Sequence, residues 1–195
     1  MERTCECFVI FVISMTQIET ERLILRPFEP ERDAAFILEV LNEPAYIANV
    51  ADRGVRTVAQ AADYIREKFL PGHQRYGIGY CVVELKAGGV PIGTCGLVKR
   101  ETMEDFDIGY SILERFSGRG YAFEAASALM HYGRTKLGLK RIIGLTSSTN
   151  ATSAHLLEKL GLRFERMVKV SGFESESRLF GWQEEDGASQ QKAHG

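Results

Sequence analysis

The stretch Arg115-Phe-Ser-Gly118-Arg119-Gly120-Tyr-Ala-Phe-Glu124-Ala125 constrains this chain more than any other. A strand-like run ends just before it, two glycines bracket an arginine, and a helical period starts at once. Glycine lets the backbone turn left-handed and approach a ligand closely. The first N–H groups of a helix have no partner inside it and lie at its positive dipole end. A strand, a glycine corner and a helix in that order form an anion site, best suited to a pyrophosphate. The corner predicts an α/β fold that handles a phosphorylated cofactor.

The periods on either side support that reading. Residues 21–28 alternate as a first strand ending near Pro27, and residues 31–41 carry an apolar helical stripe of Phe36, Ile37, Val40 and Leu41 before Pro44. A second helix is predicted over 57–69, closed by Pro71 and Gly72. Three strands follow at 79–85, 91–99 and 106–113, the first two joined by a hairpin turn at 86–89. After Gly120, Ala122, Ala125, Ala126, Leu129 and Leu137 share a helical face that Gly138 closes. A short strand over 141–146, a helix capped by Asn150 and ended by Gly161, and strands at 162–170 and 177–182 complete the order. The sum is one α/β domain with a mixed, mostly antiparallel sheet flanked by helices. Its length of 195 residues suits a single core.

The ends and the charges narrow the setting. Residues 7–13 are apolar, but Glu2, Arg3 and Glu6 precede them, no small-residue cleavage site follows, and the run is too short to span a bilayer. Residues 1–15 are therefore set aside as an extension with Met15 as the working start, the domain is drawn over 16–182, and the polar residues 183–195 read as a disordered tail. A net charge of −2 recommends neither nucleic acid nor a membrane surface as partner. Cys5, Cys7, Cys81 and Cys95 lack zinc-ligand spacing, so no metal is expected, and they read as reduced thiols of a cytoplasmic protein.

The Arg115-x-x-Gly118-x-Gly120 corner, with the Asn150-led helix ending Glu158-Lys-Leu-Gly161, resembles the GNAT superfamily of acyl-CoA-dependent N-acetyltransferases. Thr20-Glu-Arg-Leu-Ile-Leu-Arg26, Asp107-Ile-Gly-Tyr110 and Gly120-Tyr-Ala-Phe-Glu-Ala125 resemble its ribosomal-protein N-terminal branch, the RimJ/RimL type. The resemblance implies acetyl-CoA as cosubstrate, with backbone N–H groups at Gly118, Arg119, Gly120, Tyr121 and Ala122 around its pyrophosphate. It implies that the strand near Ile112 and Leu113 pairs with the pantetheine arm, and that Asn150 lies beside that arm. The acceptor is then an amine, a protein N-terminus first and a polyamine, amino acid or aminoglycoside second. A homodimer is compatible with the family. A non-catalytic acyl-CoA-binding module is the rival from another class.

Direct attack of a neutral amine on a thioester needs a base, an oxyanion site and an exit for thiolate. Asp107 is the leading base candidate, on one strand face with Gly109 and Ser111. Glu101, Glu104 and Asp105 read either as attractors of a cationic substrate or as a solvated hairpin. Many family members place a tyrosine seven residues after the helix-opening asparagine to protonate the thiolate. Leu157 stands there instead, which leaves Ser153 as the local hydroxyl. Glu124 and His131 lie on one helical face and read as solvated, and His155 reads as a surface residue.

Overall fold

The computed structural model describes residues 17–170 and 176–184. The proposed extension and residues 185–195 of the expected tail lie outside the described residues. Strands β1 (Ile18–Glu19) and β2 (Leu23–Arg26) lead into helices α1 (Pro30–Asn42), α2 (Pro44–Asn49) and α3 (Val58–Tyr64). A π-helical turn (Ile65–Phe69) joins α3 to α4 (Leu70–Tyr76). Then come β3 (Tyr80–Leu85), β4 (Val90–Lys99), β5 (Phe106–Ile112), a 3₁₀ turn (Glu114–Phe116), α5 (Tyr121–Thr135), β6 (Arg141–Ser147), α6 (Ala151–Lys159), β7 (Arg163–Val168) and β8 (Ser177–Gln183).

The strands form one eight-stranded sheet in the order β1-β2-β3-β4-β5-β6-β8-β7. Every neighbouring pair is antiparallel except β5 with β6. Two apolar clusters sandwich it. Leu97, Ile108, Leu129, Ile142 and Leu157 belong to the cluster that carries α5 and α6. Phe28, Ile37, Leu41, Ile65, Phe69 and Val82 belong to the cluster that carries α1 and α3.

The structure departs from the sequence reading mainly between residues 44 and 76. α1 ends at Asn42, ahead of Pro44, but Pro44 then opens a further short helix, α2, because a proline in the first turn of a helix sacrifices no intrahelical hydrogen bond. Pro71 is likewise at the start of α4, so Pro71 and Gly72 do not close the preceding helix. Gly77, with φ +70°, ends it. At the far end β8 runs one residue past the expected Trp182, and Glu184 N–H donates to the Lys140 carbonyl.

Glu124 is a correction of a different kind. Its side chain is not solvated but accepts hydrogen bonds from Thr20 Oγ1 (2.6 Å), Arg22 N (2.9 Å) and Arg22 Nε (2.7 Å). Burial works against its charge, yet those donors outweigh it and hold the carboxyl below its ordinary range. The β1–β2 turn is thereby tied to the first turn of α5. Arg22 also donates to the Arg119 carbonyl (3.1 Å) and stacks on Tyr121 (4.6 Å to the ring centre), which fixes the glycine corner from outside.

Candidate active site

Strands β5 and β6 pair at two positions only, Phe106 with Ile142 and Asp107 with Ile143, and then part. Leu113 N–H donates to the Ile92 carbonyl (2.9 Å) while Ile112 stands opposite Gly93. That register turns the backbone groups of residues 107, 109 and 111 toward β4, and those of Ile108, Tyr110 and Ile112 toward β6. Beyond the last β5–β6 pair, Tyr110 and Ile112 therefore present an unpaired strand edge. Leu113 does not, since its N–H and C=O are both used inside the chain, by Ile92 and Phe116. The edge suited to an extended amide-bearing arm lies one step earlier than the sequence suggests.

The glycine corner closes the other end of this gap. Gly118 and Gly120 have φ of +73° and +81°, and a Cβ on Gly118 would meet nothing within 4 Å. Gly120 caps α5 without any side-chain hydrogen bond. Glu124 N–H is the first of the helix to reach a backbone acceptor, the Gly120 carbonyl. Among the described residues, nothing accepts from the N–H groups of Gly120, Tyr121, Ala122 and Phe123. Four unpartnered donors at a helix start fit a pyrophosphate. The Arg119 side chain is exposed and lies near the Phe116 ring (5.9 Å).

A cavity of about 930 Å³ opens at the split and extends under α1, α2 and α3. Asp107, Gly109, Tyr110 and Ser111 line it from β5, Asn150 and Ser153 from the start of α6, Tyr46 and Tyr64 from α2 and α3, Arg53 from the loop between those helices, and Tyr80 from β3. Asp107 is 1% exposed. Its Oδ2 accepts from Arg100 Nε at 2.6 Å, whereas Oδ1 makes no hydrogen bond of good geometry. Burial pushes its carboxyl up; the Arg100 charge and hydrogen bond pull it back, aided by the Leu145 backbone N–H, but the balance stays above the ordinary value. A buried carboxylate with a raised pKa, one of whose oxygens lacks a well-formed hydrogen bond, is suited to accept a proton from an ammonium.

Of the other hairpin acids, Asp105 pairs with Arg141 (2.9 Å), the Glu104 carbonyl accepts from Lys99, and only Glu101 reaches the cavity rim. Asn150 caps α6, its Oδ1 accepting from Ser153 N at 3.0 Å, while also lining the cavity. Leu157 is buried and packs under Gly144, so the position of the usual tyrosine belongs to the core. A hydroxyl arrives from elsewhere. Tyr110 OH lies 3.0 Å from Ser153 Oγ and donates toward the Ser153 carbonyl at 3.1 Å. Burial pushes its phenol well up, with the Ser153 hydrogen bond acting in the opposite sense. Tyr110, Arg100 and Arg53 were not singled out for roles from sequence. Three residues past Asp107 on a strand, Tyr110 falls on the opposite face, and only the α6 contact reveals its use.

The sequence profile of the Acetyltransferase (GNAT) domain matches residues 22–163. The chain belongs to the GNAT acetyltransferase family. The uncharacterized N-acetyltransferase p20 of Bacillus licheniformis is 31% identical over 161 residues, which cover 80% of this chain and 86% of that protein. Among solved structures, an acetyltransferase from Agrobacterium tumefaciens superposes with a TM-score of 0.74 at 24% identity, covering 88% of this chain and 96% of that one. The ribosomal-protein-S5-alanine acetyltransferase of Vibrio fischeri superposes with a TM-score of 0.69 at 20% identity, covering 88% and 98%. As a GNAT acetyltransferase the chain is an acetyl-CoA-dependent enzyme, which sets aside the binding-module reading. Among the described residues no cluster of His, Cys, Asp and Glu is placed to hold a metal, and no helix is long and apolar enough to cross a membrane.

Proposed function

We propose that the acetyl group passes directly to a primary amine, in first place the N-terminal amine of a protein, with Asp107 as general base. Asp107 lines the split-sheet cavity and its buried Oδ1 lacks a well-formed hydrogen bond, the observation that carries this reading. The acceptor enters from the α1–α3 side, and Asp107 removes its proton as the amine nitrogen bonds to the acetyl carbon. The N–H groups at Gly118, Arg119, Gly120, Tyr121 and Ala122 bind the pyrophosphate. Tyr110 and Ile112 offer backbone groups to the pantetheine arm, with Asn150 beside it. An α-amine titrates near ~8 against ~10.4 for lysine, so a single buried carboxylate is sufficient help for an N-terminus. The structural neighbour that acts on a ribosomal-protein alanine supports the same class. A small amine is the second reading, favoured by the carboxylate of Glu101 at the cavity rim, which suits a cationic acceptor.

Thiolate departs toward the Tyr110–Ser153 hydroxyl pair. A thiol pKa near ~8.5 makes thiolate a fair leaving group unaided, so Ser153→Ala and Tyr110→Phe are each expected to slow turnover only about 10-fold. If the two hydroxyls act as one relay, the double variant is no slower than the worse single. Steady-state rates of the three variants measure this, and independent multiplicative losses would refute the relay. The reaction itself is tested by CoA thiol release with peptides beginning Ala, Ser or Met, with spermidine and with an aminoglycoside. Release with the peptides supports the first reading, release with small amines alone supports the second, and silence with all of them refutes both.

A further inference from the structure

The loop between α2 and α3 holds two arginines and one acid. Asp52 is committed twice: its Oδ1 accepts from Gly54 N at 2.9 Å and its Oδ2 pairs with Arg56 at 2.5 Å. Arg56 also reaches Asn42 Oδ1 at 3.0 Å, on the outside of the molecule. Gly54 turns the chain with φ +68°, and Val55 plugs into the α1–α3 core at 6% exposure. Asn42 Nδ2 donates to the Val55 carbonyl at 2.9 Å and locks that anchor. The result is that Arg53, next to the turn, faces the cavity instead of solvent.

Carboxylates of Asp63, Glu67 and Glu101 also line the cavity, but none of them is paired with Arg53. Among the described residues no carboxylate pairs with it, and its buried Nε has no hydrogen-bond partner. Its neighbours in the wall are Tyr46, whose hydroxyl is within hydrogen-bonding reach, Tyr64 and Tyr80. Burial pushes the Tyr64 phenol up to about 12 and raises that of Tyr80 further, so both keep their protons and supply no negative charge at neutral pH. The neighbouring cation in the wall, Arg100, is held by Asp107. A half-buried guanidinium without an anion is costly, and an arriving carboxylate relieves that cost with a bidentate hydrogen bond.

We infer that Arg53 reads a carboxylate on the acceptor, so that the acceptor is a primary amine that also bears a carboxyl group. This rests on the amine-acetylation reading above. Amine and carboxylate are read within one cavity, the amine at Asp107 and the carboxylate at Arg53. The carboxyl group comes either from a free amino acid or from an acidic side chain next to a peptide N-terminus.

The test compares kcat and KM for α- to ε-amino acids against their amides, and for the C-terminally amidated peptides Ala-Asp-Phe and Ala-Asn-Phe. It uses wild type, Arg53→Met and Arg53→Lys, with CoA affinity measured calorimetrically in each. At least one acid–amide pair is expected to differ 10-fold or more in kcat/KM in wild type, mostly through KM. That ratio falls to about one in Arg53→Met, is partly restored in Arg53→Lys, and CoA affinity stays the same in all three. Which pair shows the ratio identifies the source of the carboxylate. Turnover with every ratio near one, or a ratio that survives in Arg53→Met, overturns the inference and leaves the amine-acetylation reading intact. A 10-fold loss of CoA affinity in Arg53→Met would assign the arginine to CoA and overturn it too. Silence with every acceptor overturns both.

Discussion

Replacing Asp107 by asparagine is expected to lower acetyl transfer at neutral pH by about 10²–10⁴-fold while leaving CoA affinity unchanged. Asparagine is nearly isosteric and can still accept from Arg100, so the substitution removes basicity more than structure. The wild-type profile of kcat/KM against pH carries the matching signature. The base must be ionised, and burial holds the Asp107 carboxyl above the ordinary carboxylate value of ~3.9. The acid limb therefore lies above that value, with activity lost as pH falls through it, and the limb is absent from Asp107→Asn. Arg100→Gln supplies the sign test. Removing the cation that pulls the carboxyl down moves its pKa further up, so the limb shifts to higher pH and the rate recovers as pH is raised. A limb that stays in place would assign the titration to another group.

Asp107 and Tyr110 leave the same strand on opposite faces. Asp107 projects from β5 toward α1 and α3, whereas Tyr110 projects toward α6, because side chains alternate across a strand. The parting of β5 from β6 after Asp107 joins the two faces through one gap. Asp107, Tyr110 and Ser153 all line the same cavity, with the strand edge at Tyr110 and Ile112 beside it.

How much of this was legible in the sequence follows from the range of the forces involved. The glycine corner, the Asn150 cap and the strand periods are local, and each appears where period and turn chemistry place it. Asp107 on one face with Gly109 and Ser111 is also a local fact, and all three line the cavity. Glu124 was misread because its partners Thr20 and Arg22 are about a hundred positions away in the chain, and a helical wheel cannot show them. Arg53 escaped notice for a similar reason. Its direction depends on Asp52 choosing Arg56 and on Val55 finding a core built by α1 and α3. The resemblance implied a cofactor edge near Ile112 and Leu113 without saying which neighbour each N–H group faces; the β4 register does.

The largest stability effect is expected at Arg26, far from the chemistry. Its guanidinium, in a residue 8% exposed, donates from Nη1 and Nη2 to both oxygens of Asp33 at 2.8 Å and from Nε to Glu84 at 3.0 Å. Burial opposes its charge, but the two carboxylates outweigh that and raise its pKa. Asp33 also accepts from the Glu29 N–H at 2.8 Å, and Glu84 has a second partner in the half-exposed Arg32 at 3.1 Å. One arginine thus ties β2, β3 and the first turn of α1, the helix whose Ile37, Val40 and Leu41 line the cavity. Arg26→Met leaves Asp33 and Glu84 buried, with Arg32 still paired to Glu84 but no cation on Asp33 among the described residues, an expected loss of about 3–5 kcal/mol in unfolding free energy. Arg26→Met combined with Asp33→Leu and Glu84→Met removes the charges together and is expected to recover most of that loss, because the desolvation cost goes with them. Denaturant unfolding of wild type, the single and the triple variant measures both numbers. A single variant within about 1 kcal/mol of wild type would show that the network orients α1 without stabilising the fold. A triple variant as unstable as the single would show that apolar side chains cannot fill the space the ions occupy.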